Sequence, residues 1–208
     1  MALGTALTAA TSVSTSMGVQ NLSLNSGGIS VAQGLVGSGK LTVFLMSNEY
    51  DYGGNEPIRD GDRTRIKMYY SEYSGTSRDP RIYLDFSPGP ITTIYAEGSG
   101  NDDDGAIGNA NSDDTVNWST LRGDVDTSAG DGGVTIRSVT SSIYNSGVFA
   151  MHSTGRGSDV IRHINRSMFV FDLSGLSGTI ATAQFAFYMD NLGDTGDADK
   201  IIAVQGTA

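Results

Sequence analysis

Short segments in which apolar and polar side chains alternate constrain the fold of this chain more than any other feature of its sequence. Residues 65–70 and 81–86 have this pattern, with alternating apolar positions at Ile66, Met68, Tyr70, Ile82, Leu84 and Phe86. A period of two places such side chains on one face of an extended backbone and therefore predicts half-buried strands. Residues 41–46 form an uninterrupted apolar run, which predicts a buried strand.

Further strands are predicted over residues 134–139, 168–173, 181–189 and 201–204. Within two of these segments, alternation places the bulky apolar side chains on a common face, and we expect them to form the core of the second half of the chain: Phe169, Phe171, Leu173, Phe185 and Phe187. Residues 52–55, 60–62, 87–90 and 131–133 are rich in Gly, Pro, Asn and Asp, which is typical of turns between strands.

The composition favours an all-β protein. The chain has 208 residues, with 28 Gly, 4 Pro and 17% charged residues. A disordered segment or a helical bundle would have more charge and less glycine. We therefore predict an antiparallel β-sandwich or jelly roll with little helix. Residues 28–36 are equally compatible with one or two helical turns and with an irregular loop.

Charge and hydropathy exclude some partners. The formal net charge is −10, which argues against nucleic-acid binding by phosphate neutralisation. No apolar stretch approaches the roughly 20 residues of a membrane-spanning helix, so no membrane partner is expected. Residues 1–17 lack a basic start, and their apolar run is broken by Thr, which argues against a signal peptide. With no Cys, neither a disulfide framework nor a thiolate metal site is possible.

The sharpest change in composition lies between residues 97 and 114, which are rich in Gly, Asn and Asp. This composition predicts a flexible linker between two units, residues 1–96 and 115–208.

A glycine-rich segment resembles a phosphate-binding loop but lacks two of its parts. Residues 34–41 read Gly-Leu-Val-Gly-Ser-Gly-Lys-Leu, so Leu41 follows Lys40 where the loop needs Ser or Thr to hold magnesium. A strand rather than a helix is predicted to follow, and no helix N-terminus would face a phosphate. We interpret the segment as a turn that leads into a strand.

No other motif identifies a catalytic or metal site. Carboxylates at 102–104, 113–114 and 194–199 have the chemistry to ligate calcium, but they lack an EF-hand pattern and are interpreted as solvated loops. His152 and His163 lack metal-ligand spacing. No Gly-x-Ser-x-Gly elbow marks a catalytic serine. Nothing singles out an acid/base pair among the few glutamates: Glu49, Glu56, Glu72 and Glu97. We therefore predict no enzyme activity, no cofactor, no catalytic residue and no metal ligand, and no ligand-binding residue can be named.

Two short motifs near residue 120 permit different interpretations. Trp118 is the only tryptophan, and either a sugar-binding platform or a docking anchor for a strand would use its large ring. Arg122-Gly123-Asp124 matches an integrin-binding tripeptide, but a match this short arises by chance and carries no weight.

Two longer segments resemble motifs of the DNRLRE-type β-sandwich modules of secreted surface proteins and phage structural proteins. Gly75-Thr76-Ser77-Arg78-Asp79-Pro80-Arg81-Ile82 resembles the segment that closes such a module, and residues 21–28 and 40–48 resemble its later strands. Phe171-Asp172-Leu173-Ser174, with residues 183–189, resembles the opening half. Here the closing motif precedes the opening one, so residues 1–96 would be a closing half with an N-terminal arm, and residues 115–208 an opening half.

The resemblance implies a structural rather than a catalytic role, as a phage virion component such as a capsid decoration, fibre or tail protein. Its partners would be other copies of the chain and other virion proteins, and its location a virion. The alternative is an extracellular module that binds carbohydrate or another surface. The inverted order permits two arrangements: closure within one chain as a circular permutant, or exchange of halves between chains. We expect exchange, because residue 208 ends the chain where the next strand would follow.

Overall fold

A computed structural model describes residues 4–13, 16–59, 64–70, 76–97, 105–111, 117–123, 135–138, 143–154, 160–192 and 200–206. Antiparallel strands dominate these segments, as predicted. The strands are β1 (Thr11–Ser12), β2 (Gly18–Ser23), β3 (Lys40–Ser47), β4 (Thr64–Tyr69), β5 (Arg81–Phe86), β6 (Ile91–Tyr95), β7 (Gly105–Asn111), β8 (Thr135–Ser138), β9 (Ile143–Thr154), β10 (Val160–Asp172), β11 (Ile180–Leu192) and β12 (Lys200–Gln205). The helical elements are α1 (Ser26–Leu35), a π-helical turn (Asn48–Tyr52) and α2 (Trp118–Gly123).

Two long strands, β10 and β11, organise the sheet. The strand order is β1-β12-β3-β10-β9-β4-β11-β5-β6, with β2 added to β11 and β7 to β10. β10 pairs with β9 through its first half and with β3 through its second half. β11 pairs in the same way with β5 and then with β4. Each long strand thus pairs with different neighbours along its length. The β1-β12-β3-β10 layer packs face to face with the β2-β11-β5-β6 layer as a sandwich.

The inner core, between these two layers, is the larger apolar cluster. Phenylalanine rings cross the interface, with the Phe185 centroid 5.3 Å from that of Phe169 and 5.9 Å from that of Phe171. All five predicted core residues are buried in it: Phe169, Phe171, Leu173, Phe185 and Phe187. The predicted burial of these five side chains is confirmed. The core is not confined to the second half, because strands from both ends of the chain contribute to it.

The outer cluster lies on the opposite face of the β12-β3-β10 layer. Its buried members are Phe44, Met46, Tyr50, Trp118, Leu121, Ala150, Ile164, Ile202 and Val204. β3 serves both faces, since Leu41, Val43 and Leu45 enter the inner core while Phe44 and Met46 enter the outer cluster. A strand buried on both sides needs apolar residues at nearly every position, which explains the uninterrupted apolar run of residues 41–46.

The helical alternative is correct for the segment after residue 25. Asn25 caps α1, because its side-chain oxygen accepts a hydrogen bond of 2.8 Å from the backbone N–H of Gly28. The side-chain amide of Asn25 also donates to the carbonyl oxygen of Ala6 over 3.0 Å. Gly28 is buried against the backbone of Leu7, where a Cβ atom would collide with the Leu7 carbonyl oxygen. These contacts fix the N-terminal segment against the start of α1.

A strand lies within residues 97–114, for which a linker is expected. Residues 105–111 form β7, which pairs with β10 on one side and with β8 on the other. Small residues make this possible, because a strand of Gly, Ala, Ile and Asn still satisfies its backbone hydrogen bonds through its two neighbours. Composition typical of a linker is therefore no proof of one when strand partners are available.

Strands of the two expected units, residues 1–96 and 115–208, pair with each other. β3, from the first stretch, pairs with β10 and β12 from the second, and β11 pairs with β2, β4 and β5. These pairs join parts of the single chain that the structure describes. Exchange of halves between chains therefore stays a prediction.

Candidate functional site

A buried ion-pair cluster is the main group of charged side chains inside the described structure. Both oxygens of the Asp51 carboxylate accept hydrogen bonds from Arg166, over 2.7 Å from Nε and 2.7 Å from Nη2. The Asp51 and Arg166 side chains are 1% and 4% exposed. Arg122 Nε lies 3.8 Å from Asp51 Oδ1 and donates over 2.6 Å to the Asp51 carbonyl oxygen. A bidentate pair of this kind compensates for the cost of burying both charges.

The π-helical turn positions Asp51 in this cluster. Ser47 caps the turn, because its Oγ accepts a hydrogen bond from the Tyr50 N–H. Gly53 closes it by donating its N–H to the Asn48 carbonyl oxygen over 2.8 Å. Gly54 follows with a φ of +81°, and a Cβ atom at this position would lie 2.7 Å from the Arg122 guanidinium. Glycine is therefore required here both for its conformation and for the approach of Arg122.

α2 supplies the other wall of the cluster. Asn117 precedes the helix, and its side-chain oxygen accepts a hydrogen bond of 2.9 Å from the Thr120 N–H, as an N-cap residue does. Trp118 is 3% exposed, and its Nε1 donates to the Tyr50 carbonyl oxygen over 3.0 Å. Trp118 is thus an anchor that fixes α2 to the π-helical turn. Its buried ring is not a platform for sugars.

The charged groups of this cluster make contacts that hold parts of the fold together. Arg166 uses its third contact to donate over 3.1 Å to the Arg122 carbonyl oxygen, which ties β10 to the end of α2. Every contact described here joins two parts of the same chain, and the buried carboxylate already accepts two charge-assisted hydrogen bonds. The cluster therefore joins α2 and the π-helical turn to β10 of the sheet.

The two motifs that resemble a known module place their polar residues in turns. Arg81 Nη1 donates to the carbonyl oxygens of Thr76 and Ser77, each over 3.4 Å, which fixes the turn before β5. In the second motif, Asp172 Oδ1 accepts a hydrogen bond of 2.9 Å from the Ser174 N–H. The Ser174 hydrogen bonds hold the pKa of the Asp172 carboxyl below its ordinary value. Both motifs therefore act locally at the ends of strands.

Asp79 is the one buried carboxylate of the described chain with an oxygen that has no hydrogen-bond partner, Oδ1. Burial raises the pKa of Asp79, and the nearby Arg81 opposes this effect. Its neighbour Arg78 stacks its guanidinium 4.6 Å from the ring centroid of Tyr69 and 5.0 Å from that of Tyr188.

The β5–β6 hairpin presents a different kind of surface. Among the described strands, β6 pairs with β5 alone, and its sequence Ile-Thr-Thr-Ile-Tyr has no charged residue. Ile91 and Tyr95 are 67% and 40% exposed, whereas Ile94 packs against the inner core. Residues 87–96 contain no charge at all, in a chain of net charge −10. Sequence analysis missed this strand, although its β-branched and aromatic residues after the turn at 87–90 were a usable signal.

The structure places Lys40 and three of the candidate glutamates at the ends of strands, in ion pairs or at the surface. Residues 36–39 form a turn, and β3 begins at Lys40, as the interpretation of the glycine-rich segment required. Lys40 Nζ lies 2.8 Å from Glu97 Oε2. Glu56 accepts a hydrogen bond of 2.6 Å from Arg162 Nε. Glu49 is exposed on the π-helical turn.

The remaining candidates fall in two groups. His163 Nε2 lies 3.1 Å from Asn165 Oδ1 on β10. The carboxylates at 102–104, 113–114 and 194–199, with Glu72, Asp124 and the side chain of His152, lie outside the described residues. Within the described part of the chain, no three His, Cys, Asp or Glu side chains are grouped as metal ligands would be. No helix in the same segments has the length and apolar character needed to cross a membrane.

Comparison with known proteins assigns no relative. Searches against family models, curated proteins and solved structures returned no match. The function must therefore be argued from the geometry described above.

Proposed function

We propose that this chain is a non-enzymatic structural protein that assembles with other copies of itself through β contacts, as a component of a phage virion. The observation that carries the proposal is the uncharged, partly exposed strand β6 at the edge of a layer. An edge strand presents unpaired backbone donors and acceptors, which bind a further strand unless charge or proline prevents it. β6 has neither within its five residues.

The disposition of charge supports the same function. The buried ion pair of Asp51 and Arg166 holds one part of the fold to another. Their neighbour Arg122 does the same. The exposed apolar side chains Ile91 and Tyr95 lie in a segment without charge. Exposed apolar side chains beside an unpaired strand edge are compatible with a contact to a partner.

The virion is the location that we propose, and its support is the resemblance of residues 75–82 and 171–174 to segments of phage structural modules. Capsid decoration, fibre and tail proteins are the roles compatible with that resemblance. Other virion proteins would be further partners.

Light scattering over a concentration series tests the assembly. We expect the mean mass to exceed that of the 21.8 kDa chain and to fall toward it on dilution. A mass that stays at one chain across the accessible range would contradict the proposed function.

A carbohydrate- or surface-binding module is the second candidate, with an extracellular location. The outer face of the β5–β6 hairpin favours it, because Arg81, Tyr83 and Tyr95 lie there together. The Arg81 guanidinium is 5.6 Å from the Tyr83 ring centroid, and Arg81 and Tyr95 are paired across the strands. Aromatic rings beside a hydrogen-bond donor suit a sugar face. A glycan array with the wild type and Tyr95→Ala distinguishes this candidate, which requires saturable binding that the variant loses.

A further inference from the structure

The hydrogen-bond pattern of the β5–β6 hairpin determines which backbone groups of β6 face outward. The Ala96 N–H donates to the Pro80 carbonyl oxygen over 2.8 Å, and the register pairs Ile82 with Ile94 and Leu84 with Thr92. In an antiparallel pair, hydrogen-bonded residues alternate with residues that are not bonded to each other. The even-numbered residues of β6 therefore bond to β5, and the odd-numbered ones direct their backbone groups to the other edge.

An independent contact agrees with this alternation. Glu97 is also odd-numbered, and its N–H donates over 2.9 Å to the Val170 carbonyl oxygen of β10, on the side away from β5. β10 ends at Asp172, and no described residue hydrogen-bonds to Ile91, Thr93 or Tyr95 along that edge. Within the described part of the chain, the backbone N–H and C=O groups of these three residues thus form an open edge.

We propose that this open edge binds the same edge of a second copy of the chain, as an antiparallel strand pair around a two-fold axis at Thr93. The inference rests on the proposed function and identifies the surface that assembly would use. In this register Thr93 lies opposite Thr93 of the second copy, and Ile91 lies opposite Tyr95. Each pair consists of residues whose donors and acceptors face outward, and so each exchanges two hydrogen bonds.

The exposed side chains of β6 favour a second copy of the chain as the binding partner. Ile91 and Tyr95, 67% and 40% exposed, lie on the same face and would cover each other across the new pair. An aromatic residue opposite a β-branched one is a favourable cross-strand combination. The segment offers no charge to attract a charged partner, and two copies that each carry −10 approach most easily where their surfaces are neutral. An isologous interface needs such a self-complementary patch.

A lysine at the proposed axis tests the pairing. Thr93→Lys would place two like charges directly opposite each other, so we expect the dimer dissociation constant to rise by at least about tenfold. Thr182→Lys is the matched control, because Thr182 is an exposed threonine of β11 paired with Asp85 of β5, away from the β6 edge. Sedimentation velocity measures both, and circular dichroism and thermal melting verify that each variant folds.

The outcomes separate the inference from the function on which it rests. A wild type that is monomeric at every concentration would overturn both. A wild type that associates, with Thr93→Lys and Thr182→Lys associating equally well, would overturn the β6 pairing and leave assembly through another surface.

A cysteine at the same position provides a second test that does not depend on weakening the dimer. The chain has no Cys, so Thr93→Cys introduces a unique thiol. Opposed residues in such a pair have Cα atoms about 5.5 Å apart, which lies within the range that a disulfide spans. We expect mild oxidation to give a covalent dimer with Thr93→Cys and only background cross-linking with Thr182→Cys. Equal cross-linking of the two variants, or a covalent bond to a different protein when other proteins are present, would overturn the proposed partner.

Discussion

The inner core and the outer cluster lie on opposite faces of the same strands, but different interactions hold them together. The inner core consists of aliphatic side chains and packed phenylalanine rings that need only be excluded from water. The outer cluster combines apolar side chains with directional contacts, which are the Trp118 hydrogen bond and the Asp51–Arg166 pair. The first face tolerates small adjustments of geometry, whereas the second depends on particular pairs of atoms.

Truncation of a central ring tests the inner core. We expect Phe171→Ala to lower the free energy of unfolding by about 3–5 kcal/mol, because it removes a fully buried ring and leaves a cavity. Urea denaturation measures the change, with exposed Thr182→Ala as a control that stays near the wild type. A Phe171→Ala variant as stable as its parent would mean that this ring is not in the core.

Loss of one partner tests the outer cluster. Arg166→Met should lower the free energy of unfolding by about 3–5 kcal/mol, because Asp51 keeps a buried charge without its bidentate partner. Unlike a loss in the inner core, this loss of stability should be reversed by a second substitution. The double variant Asp51→Leu with Arg166→Met should recover a large part of the loss, since no buried carboxylate remains. If the double variant loses as much stability as the two single variants together, the Asp51–Arg166 pair does not act as one unit.

A smaller change isolates the directional contact of α2. Trp118→Phe keeps most of the apolar contact but removes the hydrogen bond to the Tyr50 carbonyl oxygen, which is then left buried without this donor. We expect a loss of about 1–3 kcal/mol. Ser119→Ala, on the exposed side of the same helix, is the control. If the two variants unfold alike, Trp118 contributes only its ring.

The smallest effect concerns the buried carboxyl of Asp79. Burial raises its pKa, so the folded protein loses stability relative to the unfolded chain as the pH rises and the group ionises. Asp79→Asn stays neutral. The variant should therefore gain stability over the wild type between about pH 3 and pH 7, with the difference vanishing at the acidic end. Urea denaturation at several pH values checks this, and a difference that is independent of pH would contradict it.

The same two faces explain how far the sequence could predict the fold. Alternation within β5, β10 and β11 is a local pattern, and it located the inner core because every second residue shares a face. The outer cluster joins residues far apart in the chain, since Asp51 and Arg166 are separated by 115 positions and Tyr50 and Trp118 by 68. No local pattern specifies such pairs, so both the π-helical turn and α2 went unpredicted.

Strand partners could not be predicted from the sequence for the same physical reason. Strand pairing depends on which edges meet in space, and strands far apart in the chain meet in the described structure. The composition of residues 97–114 suggested a linker, but β7 obtains its hydrogen bonds from β10 and β8. The open edge of β6 also becomes visible only when its partner and register are known.

Amide hydrogen exchange along β6 tests the central claim most directly, because it distinguishes neighbouring residues of one strand. Thr92 and Ile94 bond to β5, so we expect their N–H groups to be protected at every protein concentration. The N–H groups of Ile91, Thr93 and Tyr95 should exchange fast in dilute solution and become protected as the chain associates. If these three amides still exchange fast in the associated protein, assembly through β6 is contradicted.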